Sequence, residues 1–222
     1  MSPEAITPLL ISLKVALWAT LVILPPGILL GLLLARRSFP GKSIVETITS
    51  LPLVLPPTAV GYLLLRLFAR GGPLGERTIG FDLDFLFTWK GAVVASAVMA
   101  LPLVARSARV AFELVDPKLE AMGRTLGLGA VGAFTRITLP LARRGLFSAA
   151  ILGFSRAIGE FGATVIVAGN IPGRTQTLAL AIFQDMQLGR DREAMTLIAI
   201  TVVLAFAAIW SVEFLMRRRP SA

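Results

Sequence analysis

The feature that most limits what this chain can fold into is a series of apolar runs of membrane-crossing length. Five are bounded by charge, approximately Leu9–Ala35, Ile44–Phe68, Gly91–Val104, Leu146–Gly169 and Met195–Met216. A hydrocarbon layer roughly 30 Å thick takes about 20 helical residues to cross. Inside it a segment must satisfy its own backbone N–H and C=O groups, so the runs predict helices. The third is short as an apolar stretch, and its helix is expected to extend through Phe85–Thr88 at one end or past Arg106 and Arg109 at the other. Composition agrees, with 55% hydrophobic residues and a mean hydropathy of +0.79, far from what a soluble core requires. The chain has no cysteine and no histidine. That removes disulfides, thiol nucleophiles, Cys/His metal sites, haem ligation and histidine acid–base chemistry. No metal site and no catalytic residue is expected.

Lysine and arginine are distributed unevenly over the two sides that five crossings define. Thirteen fall on one side, in Arg36–Lys42, Arg106–Arg144 and Arg217–Arg219, and six on the other, from Arg70 to Lys90 and Arg174 to Arg192. Cytoplasmic loops carry the basic excess of membrane proteins. The N-terminus is therefore expected outside and the C-terminus in the cytoplasm. Most of the net charge of +9 is what orientation requires, so no nucleic-acid partner is expected. The first apolar stretch is too long for a signal h-region and no basic n-region precedes it. The expectation is an all-α, multi-pass membrane protein, with residues 1–222 forming one transmembrane domain in the lipid bilayer.

Prolines are dense within the runs, at Pro25-Pro26, Pro52, Pro56-Pro57 and Pro102. Each removes a backbone donor and frees a carbonyl that lipid cannot satisfy. Three of them in the second span make a poor plain anchor, so Pro56, Pro57 and Thr58 are candidates for a translocation path. The longest polar interval, about 106–144, is expected on the cytoplasmic side. Asp116 before Pro117 reads as an N-cap with proline at the first helical position, and Glu120 suits the helix dipole. Leu119, Met122 and Leu126 form an apolar stripe that stops at Gly127, Gly129 and Gly132. Such a helix suits either a lipid surface or a groove on a soluble partner.

Here the chain resembles a known family. Glu120-Ala121-Met122-Gly123, Gly127, then Ile137, Leu139 and Pro140 are similar to the coupling motif of bacterial ABC importer permeases. Glu120 stands seven residues before Gly127, one more than in the motif. Gly159-Glu160-Phe161-Gly162-Ala163-Thr164, Gly169-Asn170-Ile171-Pro172-Gly173 and Leu51-Pro52-Leu53-Val54-Leu55-Pro56-Pro57 resemble the molybdate, tungstate and sulfate branch, with the resemblance covering nearly the whole chain. It implies a type I importer permease fold of about five helices and a short coupling helix that docks on a cytoplasmic ATPase. It also implies import of molybdate, or of tungstate or sulfate/thiosulfate, from a separate extracytoplasmic binding protein. This chain carries no phosphate-binding loop, so ATP and Mg are expected on the partner ATPase and no cofactor on the permease. Five helices are too few to enclose a path, and a two-fold homodimer with two ATPase subunits is the economical assembly.

Arg156 and Glu160 lie four apart in the fourth span, where a charge is costly unless paired. Two readings stay open: an internal ion pair that locks helices, or an electropositive path shaped by Arg156 with Glu160 in gating. Gly162, Ala163 and Thr164 either line a narrow path or serve close helix packing. Lys14 and Arg66 are expected to snorkel to the interface. The rival from another class is a passive anion channel, which gives no reason for a capped cytoplasmic helix.

Overall fold

The computed structural model describes residues 3–81 and 83–217, with side chains described for residues 6–81 and 83–214. Arg218 and Arg219 of the basic tail lie outside the described residues, and so does the side chain of Arg217. The described chain is helical, with α1 Pro3–Arg36, α2 Lys42–Val54, α3 Pro57–Phe68, α4 Glu76–Ile79, α5 Trp89–Glu113 and α6 Pro117–Thr125. After these come α7 Ala130–Ala133, a π-helical turn Phe134–Thr138, α8 Leu139–Ile158, α9 Gly162–Ala168, α10 Leu178–Gln187 and α11 Asp191–Arg217. Four helical stretches are long and apolar enough to cross a membrane, and α2 with α3 makes a fifth crossing if the bent pair is counted as one.

The centre of the fold is α5, packed between α1, to which it runs parallel, and α8, to which it runs antiparallel. Small residues make that approach possible. A Cβ on Gly27 would lie 2.7 Å from the Val104 side chain, and one on Gly153 would lie 2.6 Å from the other methyl of Val104. Val104 therefore wedges between α1 and α8 with no exposed surface. One turn further along α5, Gly31 faces Ala108 and the backbone of Ala105 and Arg109, and beyond it Gly145 faces Ala111. Lipid offers apolar helices no hydrophobic reason to associate, so close van der Waals contact through such residues is what holds the three together. At the outer end, the Lys14 ammonium lies 3.7 Å over the Trp89 ring, and Arg66 is exposed in the last turn of α3.

Two expectations from the sequence are corrected. The second span is not one helix, because α2 and α3 meet at 110°. Leu55 is extended, as a residue before proline prefers to be, and Pro57 opens α3 where its missing N–H costs nothing. The fourth span begins at Leu139 rather than Leu146 and breaks after Ile158, with α9 continuing beyond Gly159–Phe161. Between α5 and α8 stand residues 114–138, since α5 runs on to Glu113, past Arg106 and Arg109 as one of the two expected extensions has it. Arg106 and Arg109 lie within α5 and clamp α2: Arg106 donates to Ser50 at 2.9 Å, and Arg109 meets Glu46 at 2.8 Å and Glu113 at 2.7 Å.

The two half-length helices α3 and α9 pack on each other. Gly61 sits against the backbone of Ala163 and against Ile166, and Gly162 sits against Pro57. After α9, Gly169 takes a left-handed φ of +71° and Thr175 closes the turn, accepting from the Ile171 N–H and donating to the Gly169 carbonyl. The start of α10 is tied to α1 by the Leu178 N–H, which donates to Ser12 Oγ at 2.7 Å. The outermost helix, α11, exposes Val202, Val203, Phe206, Ile209 and Trp210, as a lipid-facing helix does.

Candidate functional site

The short helix α6 is defined at both ends by its sequence. The Asp116 carboxylate accepts from the Lys118 N–H at 2.8 Å, and Pro117 occupies the first turn. At the other end, Gly127 adopts φ +92°, the Gly127 N–H donates to Arg124 O and the Leu128 N–H donates to Gly123 O. That pair of bonds is the Schellman closure, which needs a residue in the left-handed region. No neighbour lies within 4 Å of a Cβ at Gly127, so the requirement is backbone conformation alone. Gly127→Ala is expected to cost about 1–2 kcal/mol, read as amide exchange across α6 that is roughly 5- to 30-fold faster. Gly127→Asn should lose much less. Equal exchange in the alanine variant would rule out the cap as the cause.

Two faces of α6 follow from a one-residue offset. Leu119, Met122 and Leu126 point outward, 40%, 61% and 84% exposed. Glu120 and Gly123 point inward. Gly123 is buried because the Ile137 side chain fills the space where its Cβ would stand, with Leu128 beside it. The glycine and the isoleucine of the sequence pattern are thus packing partners. Glu120 accepts from Arg36 Nη2 at 3.0 Å and from Thr138 Oγ1 at 2.6 Å, and Arg36 also donates to the Val115 carbonyl at 3.1 Å. Ala121 is exposed on the outer surface, while Leu139 and Pro140 form the exposed first turn of α8.

The candidate path residues gather where the second and fourth spans break. Pro56 ends the bend, Pro57 and Thr58 open α3 in exposed positions, and Gly162 and Ala163 are buried against them. Glu160 is 2% exposed and lies past the end of α8 rather than on its face. Its carboxylate meets Arg156 Nη1 at 2.7 Å and accepts from the Ala163 N–H at 2.9 Å, so one side chain pairs with the end of α8 and caps the start of α9. Thr164 is fully buried and spends its hydroxyl on the Glu160 and Phe161 carbonyls. Arg156 remains 30% exposed.

Sequence reasoning missed Arg36 and Thr138, which complete the Glu120 contacts. Arg36 was counted only as an orientation charge, and Thr138 was a letter between two motif residues. No signal in the sequence joins positions so far apart.

Residues 27–219 match the family described as binding-protein-dependent transport system inner membrane component. The chain is 46% identical over 94% of its length to the molybdenum transport system permease protein ModB of Escherichia coli (strain K12), covering 92% of that relative. It is 39% identical over 95% of its length to a putative molybdenum transport system permease protein, YvgM, of Bacillus subtilis (strain 168), covering 93% of it. A sulfate transport system permease protein, CysT, of Salmonella typhimurium is 31% identical over 86% of this chain, which covers 69% of that relative. Among solved structures, an amino acid ABC transporter aligns with a TM-score of 0.66 at 19% identity, over 98% of this chain and 95% of the other. The inward-facing MetNI methionine ABC transporter aligns with a TM-score of 0.68 at 18% identity, over 96% and 93%. At those identities the structures speak for the fold, which is that of the type I importer permeases. With the family match covering most of its length, the chain belongs to the binding-protein-dependent transport system inner membrane components.

Proposed function

We propose that this chain is the membrane-spanning subunit of an ATP-driven importer that carries molybdate into the cytoplasm. The observation that carries the reading is near-full-length identity to permeases of molybdenum transport systems. The chemistry supports an oxyanion as the form carried. The sequence contains neither imidazole nor thiolate, the donors that zinc, copper and nickel cations favour. In this reading two copies form the pathway, two ATPase subunits bind ATP and Mg on the cytoplasmic side, and an extracytoplasmic binding protein delivers the anion. The complex sits in the bacterial inner membrane.

The outward stripe Leu119, Met122 and Leu126 is the surface proposed to enter the ATPase cleft. Asp116 and Gly127 fix the length of that helix, and Gly123, Ile137, Leu139 and Pro140 seat it on the membrane helices. The path is proposed to pass the paired breaks, where Arg156 supplies positive charge and Pro57 with Thr58 opens α3. Glu160 already occupies the N-terminus of α9 and would repel an anion, so its part is to hold Arg156 and the bend.

A sulfate importer is the second reading, favoured by the 31% identity to the sulfate permease protein. Reconstitution in liposomes with the candidate ATPase and binding protein tests both. Uptake of labelled molybdate should require ATP and be competed by tungstate more strongly than by sulfate. Preference for sulfate would select the second reading. Uptake without ATP would overturn both in favour of a channel.

A further inference from the structure

Arg36 is the last residue of α1, and α1 has no chain connection to α6 nearer than the whole of α2 to α5. The two are nevertheless joined. One Glu120 carboxylate oxygen takes both Arg36 Nη2 at 3.0 Å and Thr138 Oγ1 at 2.6 Å, so α1, α6 and the foot of α8 converge on a single atom. The site is shielded, with the Arg36 and Glu120 side chains 19% and 22% exposed and Thr138 fully buried. The same guanidinium holds the Val115 carbonyl, immediately before the cap of α6. Arg36 therefore grips both the entry to α6 and its inward face.

We propose that Arg36 and Glu120 are positioning residues that transmit displacement of α6 directly to α1. The proposal rests on the reading that a cytoplasmic ATPase acts on α6, and it identifies the route of transmission. Through the chain, α6 reaches α5 by the three residues Leu114–Asp116. It reaches α8 through the left-handed Gly127 and the π-helical turn, which is a longer path with a sharp change of direction. Of the two chain connections the three-residue link to α5 is the short one, and the Arg36 contact adds a second short attachment, on α1. Because Gly27 and Gly31 already bring α1 and α5 into backbone-close contact, the two attachments drive α1 and α5 as one body. A charge-assisted bond in partly shielded surroundings is strong and directional enough for this task.

The test uses the whole transporter in proteoliposomes. Arg36→Gln should leave the ATPase subunits co-purifying with the permease while anion taken up per ATP hydrolysed falls by ~2- to 30-fold. The exchanged pair Arg36→Glu with Glu120→Arg should recover at least half of that ratio, which neither single exchange should do. An unchanged ratio in Arg36→Gln, or loss of the ATPase subunits in it, would overturn the proposal. A complex of unaltered sequence that shows no ATP-dependent uptake would instead sink the functional reading. The link is then still readable from spin labels. The chain has no cysteine, so Arg37→Cys and Arg124→Cys, both at exposed positions, can be labelled specifically. Their distance distribution should be narrow, and should broaden when Arg36→Gln is added. An identical distribution with and without Arg36→Gln would refute the link.

Discussion

Replacing Glu160 with alanine is expected to destabilise the folded protein by about 3 kcal/mol, near the low end for breaking a buried ion pair. The buried carboxylate faces Arg156 Nη1 at 2.7 Å and the Ala163 N–H at 2.9 Å. Its removal strands a cation within the membrane span and a backbone donor at the start of α9. The partial exposure of Arg156 keeps the figure from being larger. Arg156→Met should also destabilise, because it leaves the carboxylate buried without a counter-charge. The pair Arg156→Met with Glu160→Ala should lose less than the sum of the two single losses, since neither charge then remains. Thermal unfolding in mild detergent measures all three, and strict additivity would show that the contact is energetically idle. If Arg156 contributes to the anion path, Arg156→Met should lower uptake by more than it lowers the amount of folded protein.

Gly31→Val should be as damaging, for a different reason. A Cβ at Gly31 lies 2.7 Å from the Arg109 nitrogen and 2.9 Å from the Ala105 carbonyl oxygen, neither of which can move without moving α5. Overpacking of this kind costs typically about 1–3 kcal/mol, and a branched side chain against backbone belongs at the upper end. The comparison with Gly27 is the sharper test. Gly27 faces a side chain, Val104, so Gly27→Ala should be largely rescued by Val104→Ala. Gly31→Ala should not be rescued by Ala108→Gly, because the backbone contacts persist. Rescue at both positions would mean that α1 and α5 slide past each other more easily than their packing implies.

The parts of the fold legible in the sequence were those encoded locally. The apolar crossings, four or five as the bent pair is counted, and the two ends of α6 all depend on residues within one segment, as with Asp116-Pro117 and Gly127. The breaks were not legible in the same way. Each break lies inside a longer apolar run, at Leu55-Pro56 and around the single charge of Glu160, and a bend changes direction without ending such a run. The prolines marked the second span as unusual but carried no angle. That the third helix runs past Arg106 and Arg109 was one of the two extensions expected, but the partners of these arginines, Ser50 and Glu46, lie on another helix and could not be read. Arg156 and Glu160 were expected on one helix face and do pair, yet the helix ends between them, and the capping of α9 follows from that ending. Glu120 stood one place off the motif spacing. Its inward contacts depend on Arg36 and Thr138, which only the folded chain brings near.

Because α6 is bounded by a proline start at one end and a left-handed glycine at the other, its nine residues span roughly 14 Å, and neither boundary can creep by a turn. That makes it a unit of fixed length, suited to transplantation. A chimera that moved only 117–126 into another permease would leave both closures behind and fray. One that carried Asp116 through Leu128, with isoleucine and threonine supplied at the positions of Ile137 and Thr138, would take its own seat along with it.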